Sequence, residues 1–405
     1  MCWPGCPRRC PHHDPRGRIR GRPSAVKVTG AAGGSPATDR PATDRVASLT
    51  GLRAVAALLI VATHAAFGTG HLDDGYLGQL YARLEVGVPV FFVLSGYLLF
   101  GPWVVAAAQG SPPPSVRRYA RRRVRRIAPA YVITVLAAFA IYEFRYAGPN
   151  PGHSWLGLLK HLTLTQIYPP LYYAEMHQGL TQMWSLAVEV AFYAVLPLLA
   201  GLLLSVLCGG AWRPGRLLAA LAALGAVTPL WLLLPQITDV LPPSATIWLP
   251  AHLIYFVGGM CLVVLRELDI GCRAAIALPI AVAALLVVAL PIAGDVTAPD
   301  VEPWQRMLKT ILYAVVAVGL LAPLVRDTGS GYARMLSARP VVWLGEISYE
   351  IFLLHVIAME FAMAEVLRWP MFTGSMPGLF LVTTGMTVPA AWLLHRCTRV
   401  PTTLN

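Results

Sequence analysis

Acidic side chains are scarce in this chain: Asp and Glu together supply 20 of 405 residues, against 32 Lys and Arg. Only 13% of residues are charged while 56% are hydrophobic, and the mean hydropathy is +0.60. A water-soluble domain carries about 25% charge. The composition therefore excludes one and indicates a polytopic membrane protein. The seven cysteines are scattered; Cys2, Cys6 and Cys10, with His12 and His13, match no standard zinc spacing. No metal site is expected, and no disulfide, because the remaining cysteines fall largely at cytosolic ends where thiols stay reduced. Residues 1–45 are rich in Pro, Gly and Arg and have no apolar block. They lack the core of a cleavable signal peptide and read as a disordered basic cytosolic tail, leaving the first span as an uncleaved anchor. There is no internal repeat and no glycine-rich nucleotide motif.

What the chain does have is apolar runs of spanning length, near 46–68, 86–108, 127–146, 183–207, 217–235, 247–265, 274–293, 307–325, 342–367 and 377–396. Ten runs put both termini on one side. Between the second and third stand Arg117, Arg118, Arg121, Arg122, Arg123, Arg125 and Arg126. Later loops on that side hold Arg213, Arg216, Arg266, Arg273, Arg326, Arg334 and Arg339; the opposite loops hold only Arg83, Arg145, Lys160, Arg306 and Arg368. Basic residues accumulate on the cytosolic side of membrane proteins. The expectation is thus an all-α transmembrane bundle of about ten spans in the cell membrane, with both termini cytosolic. Its domain runs over 46–398, with a short cytosolic tail at 399–405. The same distribution answers the net charge of +12 without invoking nucleic acid.

Several polar residues interrupt these runs. Arg53 and His64 are eleven apart, three helical turns plus about 20°, hence on one face and roughly 16 Å apart along the axis. Ionisable groups inside a membrane helix are costly and face a cavity or a partner. The second run carries Pro89 and the Ser95-Gly96 pair, which read as interruptions lining a cavity or as a packing notch. The third opens with Arg122, Arg123 and Arg126 just ahead of Pro129. A cationic helix face of this density suits phosphate groups, or anionic lipid. In the fourth, Ser185, Glu189 and Tyr193 share a face next to Trp184, and the buried carboxylate needs a cationic or hydrogen-bonding partner. The loop with His153, Lys160, His161, Tyr168, Tyr172, Tyr173 and His177 suits sugars or a membrane interface. The ninth run brings Ser348 and His355 to one face, with Tyr349 beside them, and Glu346 and Glu350 within reach of the arginines of the first or third span.

Together these pieces resemble one family, the integral-membrane acyltransferases of family three, which O-acylate sugars, polysaccharides, lipids and macrolides. The resemblance rests on Leu52-Arg53 with His64, Phe91-Phe-Val-Leu-Ser-Gly-Tyr97, Arg122-Arg123 with Arg126 and Pro129, Trp184-Ser-Leu with Glu189 and Tyr193, and Leu344-Gly with Ser348-Tyr349, Phe352 and His355. It departs where such chains end in Glu-x-Pro; this one reads Arg399-Val-Pro401. The resemblance implies transfer of an acyl group, acetyl foremost, from cytosolic acyl-CoA to a hydroxyl of an envelope glycan, glycolipid or secreted metabolite. It makes acyl-CoA a co-substrate and implies no permanently bound cofactor. His64 would act as base, or carry the acyl group, with Glu189 as its electrostatic support. Arg53, Ser95, Arg122, Arg123, Arg126, Trp184, Ser185, Tyr349 and His355 would bind the substrates. The competing reading is a proton-coupled exporter, which also buries His, Glu and Arg but commonly shows repeated halves.

Overall fold

The computed structural model describes residues 40–145, 148–169, 175–237, 241–296, 301–326 and 329–399. The chain divides into Met1–Asp39 and Arg40–Asn405. The tail expected over residues 1–45 lies outside the described residues as far as Asp39, and so do positions 400–405. Tyr172 and Tyr173 of the long loop are likewise outside them.

All regular structure among the described residues is helical. In chain order the α-helices are α1 (Arg40–Gly68), α2 (Gly75–Arg83), α3 (Gly87–Ala108), α4 (Val116–Phe144), α5 (Trp155–Leu162), α6 (Met183–Ala200), α7 (Pro214–Gly225), α8 (Val227–Ile237), α9 (Leu249–Glu267), α10 (Ala274–Val288), α11 (Pro303–Leu321), α12 (Gly331–Leu336), α13 (Arg339–Glu346), α14 (Ser348–Phe361) and α15 (Met376–Thr398). Among the described residues, eight helical stretches are long and apolar enough to cross a membrane: Val46–Gly68, Gly75–Ala108, Val116–Phe144, Met183–Leu207, Pro214–Leu234, Pro243–Glu267, Pro303–Val325 and Met376–Thr398. The other two expected runs are helical but different. The seventh is the 15-residue α10. The ninth is divided at Ile347 between α13 and α14, where the Ser348 hydroxyl donates to the Gly345 carbonyl at 2.8 Å and so takes an acceptor from the helical ladder.

Two boundaries move for local reasons. α4 starts at Val116, so the arginine run forms its first turns; the Ser115 hydroxyl caps it by accepting from the Arg118 N–H. Pro89 does not break the second span, because it lies in the first turn of α3, where no helical N–H is lost.

The core sits where α3 crosses α9. A Cβ on Gly96 would lie 2.0 Å from the Phe256 carbonyl oxygen, and one on Gly259 would lie 2.0 Å from that of Val93. Only glycine permits this approach, and the two backbones are locked together. Phe92 and Phe192 stack on Phe256 with centroids 4.7 and 4.0 Å apart. A second cluster, with Val61, Ala65, Ile351, Met359 and Leu379, joins α1, α14 and α15. Despite the altered C-terminal pattern, α15 docks through His395, whose Nδ1 lies 3.0 Å from Glu350. Outward-facing Leu198, Leu230 and Leu381 are exposed, as lipid-facing side chains are.

Candidate active site

His64 lies on α1 with its Nδ1 2.8 Å from the Ile60 carbonyl one turn back. His355 makes the same kind of bond from α14, Nδ1 to the Phe352 carbonyl at 2.8 Å. A carbonyl only accepts, so both rings carry their proton on Nδ1 in the neutral state. The lone pair of His355 Nε2 then meets the His64 Nδ1–H at 3.3 Å, and that N–H is shared between it and the Ile60 carbonyl. The rings lie 5.0 Å apart. This leaves the lone pair of His64 on Nε2, the form a general base needs. His355 is fully buried; His64 is partly accessible.

Arg53 opens onto a narrow, partly solvent-open cavity, walled also by Ser95, Arg123, Arg126, Ser185, Glu189, Tyr193 and Tyr349. Glu189 accepts from the Ser95 hydroxyl and, at 2.6 Å, from the Tyr193 hydroxyl. Tyr119 donates to the Tyr193 carbonyl at 3.2 Å and Tyr349 to that of Ile127 at 3.0 Å, tying the wall to α4. Glu189, Arg126 and Glu350 all act electrostatically on Arg53. A second cavity shares Leu98, Leu99 and Arg123 with the first and adds Arg118 and Arg122. The Nε of Arg123 is shielded from solvent and lacks a hydrogen-bond partner, as a donor awaiting an anion would be.

Seven of the eleven expected site residues line the first cavity and Arg122 the second, whereas His64 and His355 line none of the three cavities described, and three placements differ from expectation. The hydrogen bonds of Glu189 go to Ser95 and Tyr193, and the side chain that hydrogen-bonds to His64 is His355. His355 does not face a cavity but backs the other histidine. Trp184 stands apart from the arginine cavity, with its ring 5.2 Å from that of His252. Arg118 was missed, although it precedes Arg122 and Arg126 at the same spacing of four.

Trp184 and His252 belong to a third cavity of about 440 Å³ that also includes Glu85, Asp295, Lys309 and Tyr313. Glu85 accepts from Lys309 Nζ and from the Tyr313 hydroxyl, both at 2.9 Å. Along α3 the cavities follow in order: Val88 and Pro89 border the third, Ser95 the first, Trp103 the second. The third therefore lies at the end of the bundle away from the α4 arginines. Lys309 and His252 are ionisable groups inside apolar runs, the same signal that marked His64.

The histidines of the long loop turn inward. His153 Nδ1 is 3.2 Å from His177 Nε2, and the His177 ring packs 4.5 Å from Phe139. Burial, helped by the positive potential of His161 and His153, holds His177 down to about 3 from the usual 6.5. Burial also lowers His161 and raises Tyr168. This cluster packs the loop; Trp155, Leu156 and Leu159 form its exposed apolar side.

A family model described as an acyltransferase domain matches residues 46–396. The acyltransferase MdmB of Streptomyces mycarofaciens is 28% identical over 387 residues, covering 89% of this chain and 92% of its own. The peptidoglycan O-acetyltransferase OatA of Listeria monocytogenes is 23% identical over 345 residues, covering 78% of this chain and 50% of its own. An uncharacterized protein of Haemophilus influenzae is 31% identical over a shorter stretch of 123 residues. No solved structure matches the chain.

Proposed function

The chain belongs to the family of membrane acyltransferases, and from that premise we propose that it moves an acyl group, acetyl foremost, from cytosolic acyl-CoA to the hydroxyl of a glycan, glycolipid or secreted metabolite. The observation that carries this reading is the line of cations Arg118, Arg122, Arg123, Arg126 and Arg53, which runs from the start of α4 into the bundle. Guanidinium forks match the phosphates of the donor. The thin acyl-pantetheine arm passes inward between Arg123 and Arg53, along the wall of Ser95, Ser185, Glu189 and Tyr349.

An alcohol is a weak nucleophile at neutral pH and needs a base. His64 Nε2 takes its proton as the hydroxyl oxygen bonds to the thioester carbonyl carbon. His355 Nε2 accepts from the Nδ1–H of the imidazolium so formed, in the way a carboxylate orients the base of other acyl-transfer sites. The tetrahedral oxyanion then collapses, the C–S bond breaks, and the CoA thiolate recovers the proton. Glu189 serves the donor side, fixing Ser95 and Tyr193 and balancing the charge of Arg53.

The test is acetyl-CoA consumption by the purified full chain in lipid nanodiscs. Replacing Arg123 and Arg126 together with Ala should raise the acetyl-CoA KM while the protein still inserts. Lys at both positions should restore binding only in part, because an ammonium lacks the fork. An unchanged KM would return the arginines to a purely topological role. Mass spectrometry of envelope glycans and lipids from a deletion strain would then identify the acceptor by the acyl group that disappears.

A further inference from the structure

The cavity around Glu85 is not used by the donor chemistry, yet it is the largest of the three and its walls are organised. Its charged side chains already have partners within the protein. Glu85 is answered by Lys309. Arg83 donates to the carbonyls of Val288 and Gly294, and Arg306 to that of Val301. Asp295 accepts from Gln79 at 2.5 Å. Each described cation of the lining is thus engaged by a carboxylate or by backbone carbonyls, which favours a hydrogen-bonding ligand over a densely charged one. What remains is a fixed array of a carboxylate, an ammonium and a phenol around one oxygen, Glu85 Oε1. Opposite stands an indole, Trp184, against an imidazole whose Nε2 is shielded from solvent and has no hydrogen-bond partner. An unmet polar atom in such a position is destabilising, and a ligand polar group would relieve it.

Alternating donors and acceptors beside a flat apolar face suit a ring that carries vicinal hydroxyls on its edge and C–H bonds on its faces. We propose that this cavity is the acceptor subsite and that it takes a neutral glycosyl ring, stacked on Trp184 and hydrogen-bonded by Glu85, Lys309 and His252. The proposal rests on the reading of His64 as the base. The two sites adjoin: Thr63, next to His64, donates to the carbonyl of Ala82 in the cavity wall, and Glu85 acts electrostatically on both His64 and His252. Val88 borders this cavity and the donor cavity alike, and Phe92 of the donor cavity packs 5.8 Å from His252. A thin wall thus separates the donor arm from the acceptor ring. On transfer, the sugar oxygen gains the bond to the acyl carbon, the thioester loses its C–S bond, and the sugar proton leaves through His64.

The experiment uses the full chain in phospholipid nanodiscs, free of glycosidic detergent, with methyl β-D-glucopyranoside, methyl β-D-galactopyranoside and methyl α-L-rhamnopyranoside as probes. Thermal unfolding reads binding and acetyl-CoA turnover reads transfer. At least one glycoside should raise the melting temperature and become acetylated. Trp184→Leu, and separately the double variant Glu85→Gln with Lys309→Met, should raise its KM roughly tenfold or more while the acetyl-CoA KM stays within about twofold. The double variant removes both charges together, so neither is left buried and unpaired. A glycoside acetylated with the same KM in both variants overturns the site. Acetyl-CoA turnover that no glycoside stimulates, with no shift in melting, overturns the sugar. Glycoside binding lost in Trp184→Leu without any acetyl-CoA consumption would keep the site and instead sink the acyl-transfer reading.

Discussion

At the scale of single residues, the proposed chemistry rests on a hydrogen bond between two imidazoles, His64 and His355. His64→Ala is expected to lower kcat by about 10²–10⁴-fold or more in protein that retains its melting temperature; near-normal turnover would pass the role of base to His355. His355→Ala should cost less, because it removes only the group that receives the Nδ1–H. His355→Gln should recover part of that loss, since its amide oxygen can accept the same proton. Equal kcat in all three proteins would leave the pair without a catalytic meaning. Glu189→Gln is expected to act on the donor side, raising the acetyl-CoA KM several-fold, because it keeps the shape of a group that holds Ser95 and Tyr193 but removes the charge beside Arg53. A fall in kcat with an unchanged KM would instead give the carboxylate a part in the chemical step. His64, Arg53 and Glu189 could each be found from the sequence, because an ionisable side chain in an apolar run stands out. Which of them touch could not, since Glu189 and His355 lie on separate helices.

Among the elements, α4 carries the arginines proposed to hold the donor's phosphates, and the loop after it carries a pH response. Arg118, Arg122 and Arg126 are spaced by four, and Arg123 stands one position over. Arg118→Ala should therefore weaken acetyl-CoA binding in the same assay and add to the loss from Arg123→Ala. A KM unaffected by Arg118 would confine the phosphate site to the deeper cavity. In the loop, His177 is held down to about 3 in the folded protein against 6.5 when exposed. The unfolded chain therefore binds more protons between those values, and stability falls as pH drops from about 6.5 toward 3, by at most about 1.4 kcal/mol per unit. His161 adds in the same direction. His177→Gln should flatten the melting temperature over that window; an undiminished slope would trace the acid sensitivity elsewhere. The loop's histidines suggested sugar or interface contact in the sequence, but their inward packing on Phe139 and Tyr142 depends on a chain reversal that local pattern does not encode.

At the scale of the whole molecule, the charge alternation predicts both termini in the cytosol, with the loop at Asp295 outside. Reporter fusions at the termini and at Asp295 check this; activity placing Asn405 outside would reverse the sidedness of donor and acceptor. Gly96→Leu should strongly lower expression of folded protein, because its side chain would strike the Phe256 carbonyl at the α3–α9 crossing, and retention of normal melting would mean that this crossing is not the core. The sequence by itself determined the membrane class, the helices and the family. Apolar run length answers to the thickness of the bilayer, and backbone polar groups inside it can be satisfied only within a helix or a barrel. It did not determine that the ninth run divides at Ile347, that α4 begins eleven residues ahead of its apolar run, or that His64 hydrogen-bonds to a histidine. Those were decided by the tertiary structure, because they depend on hydrogen bonds and side-chain contacts between helices. Helical periodicity states which face a residue occupies and nothing about which helix stands opposite.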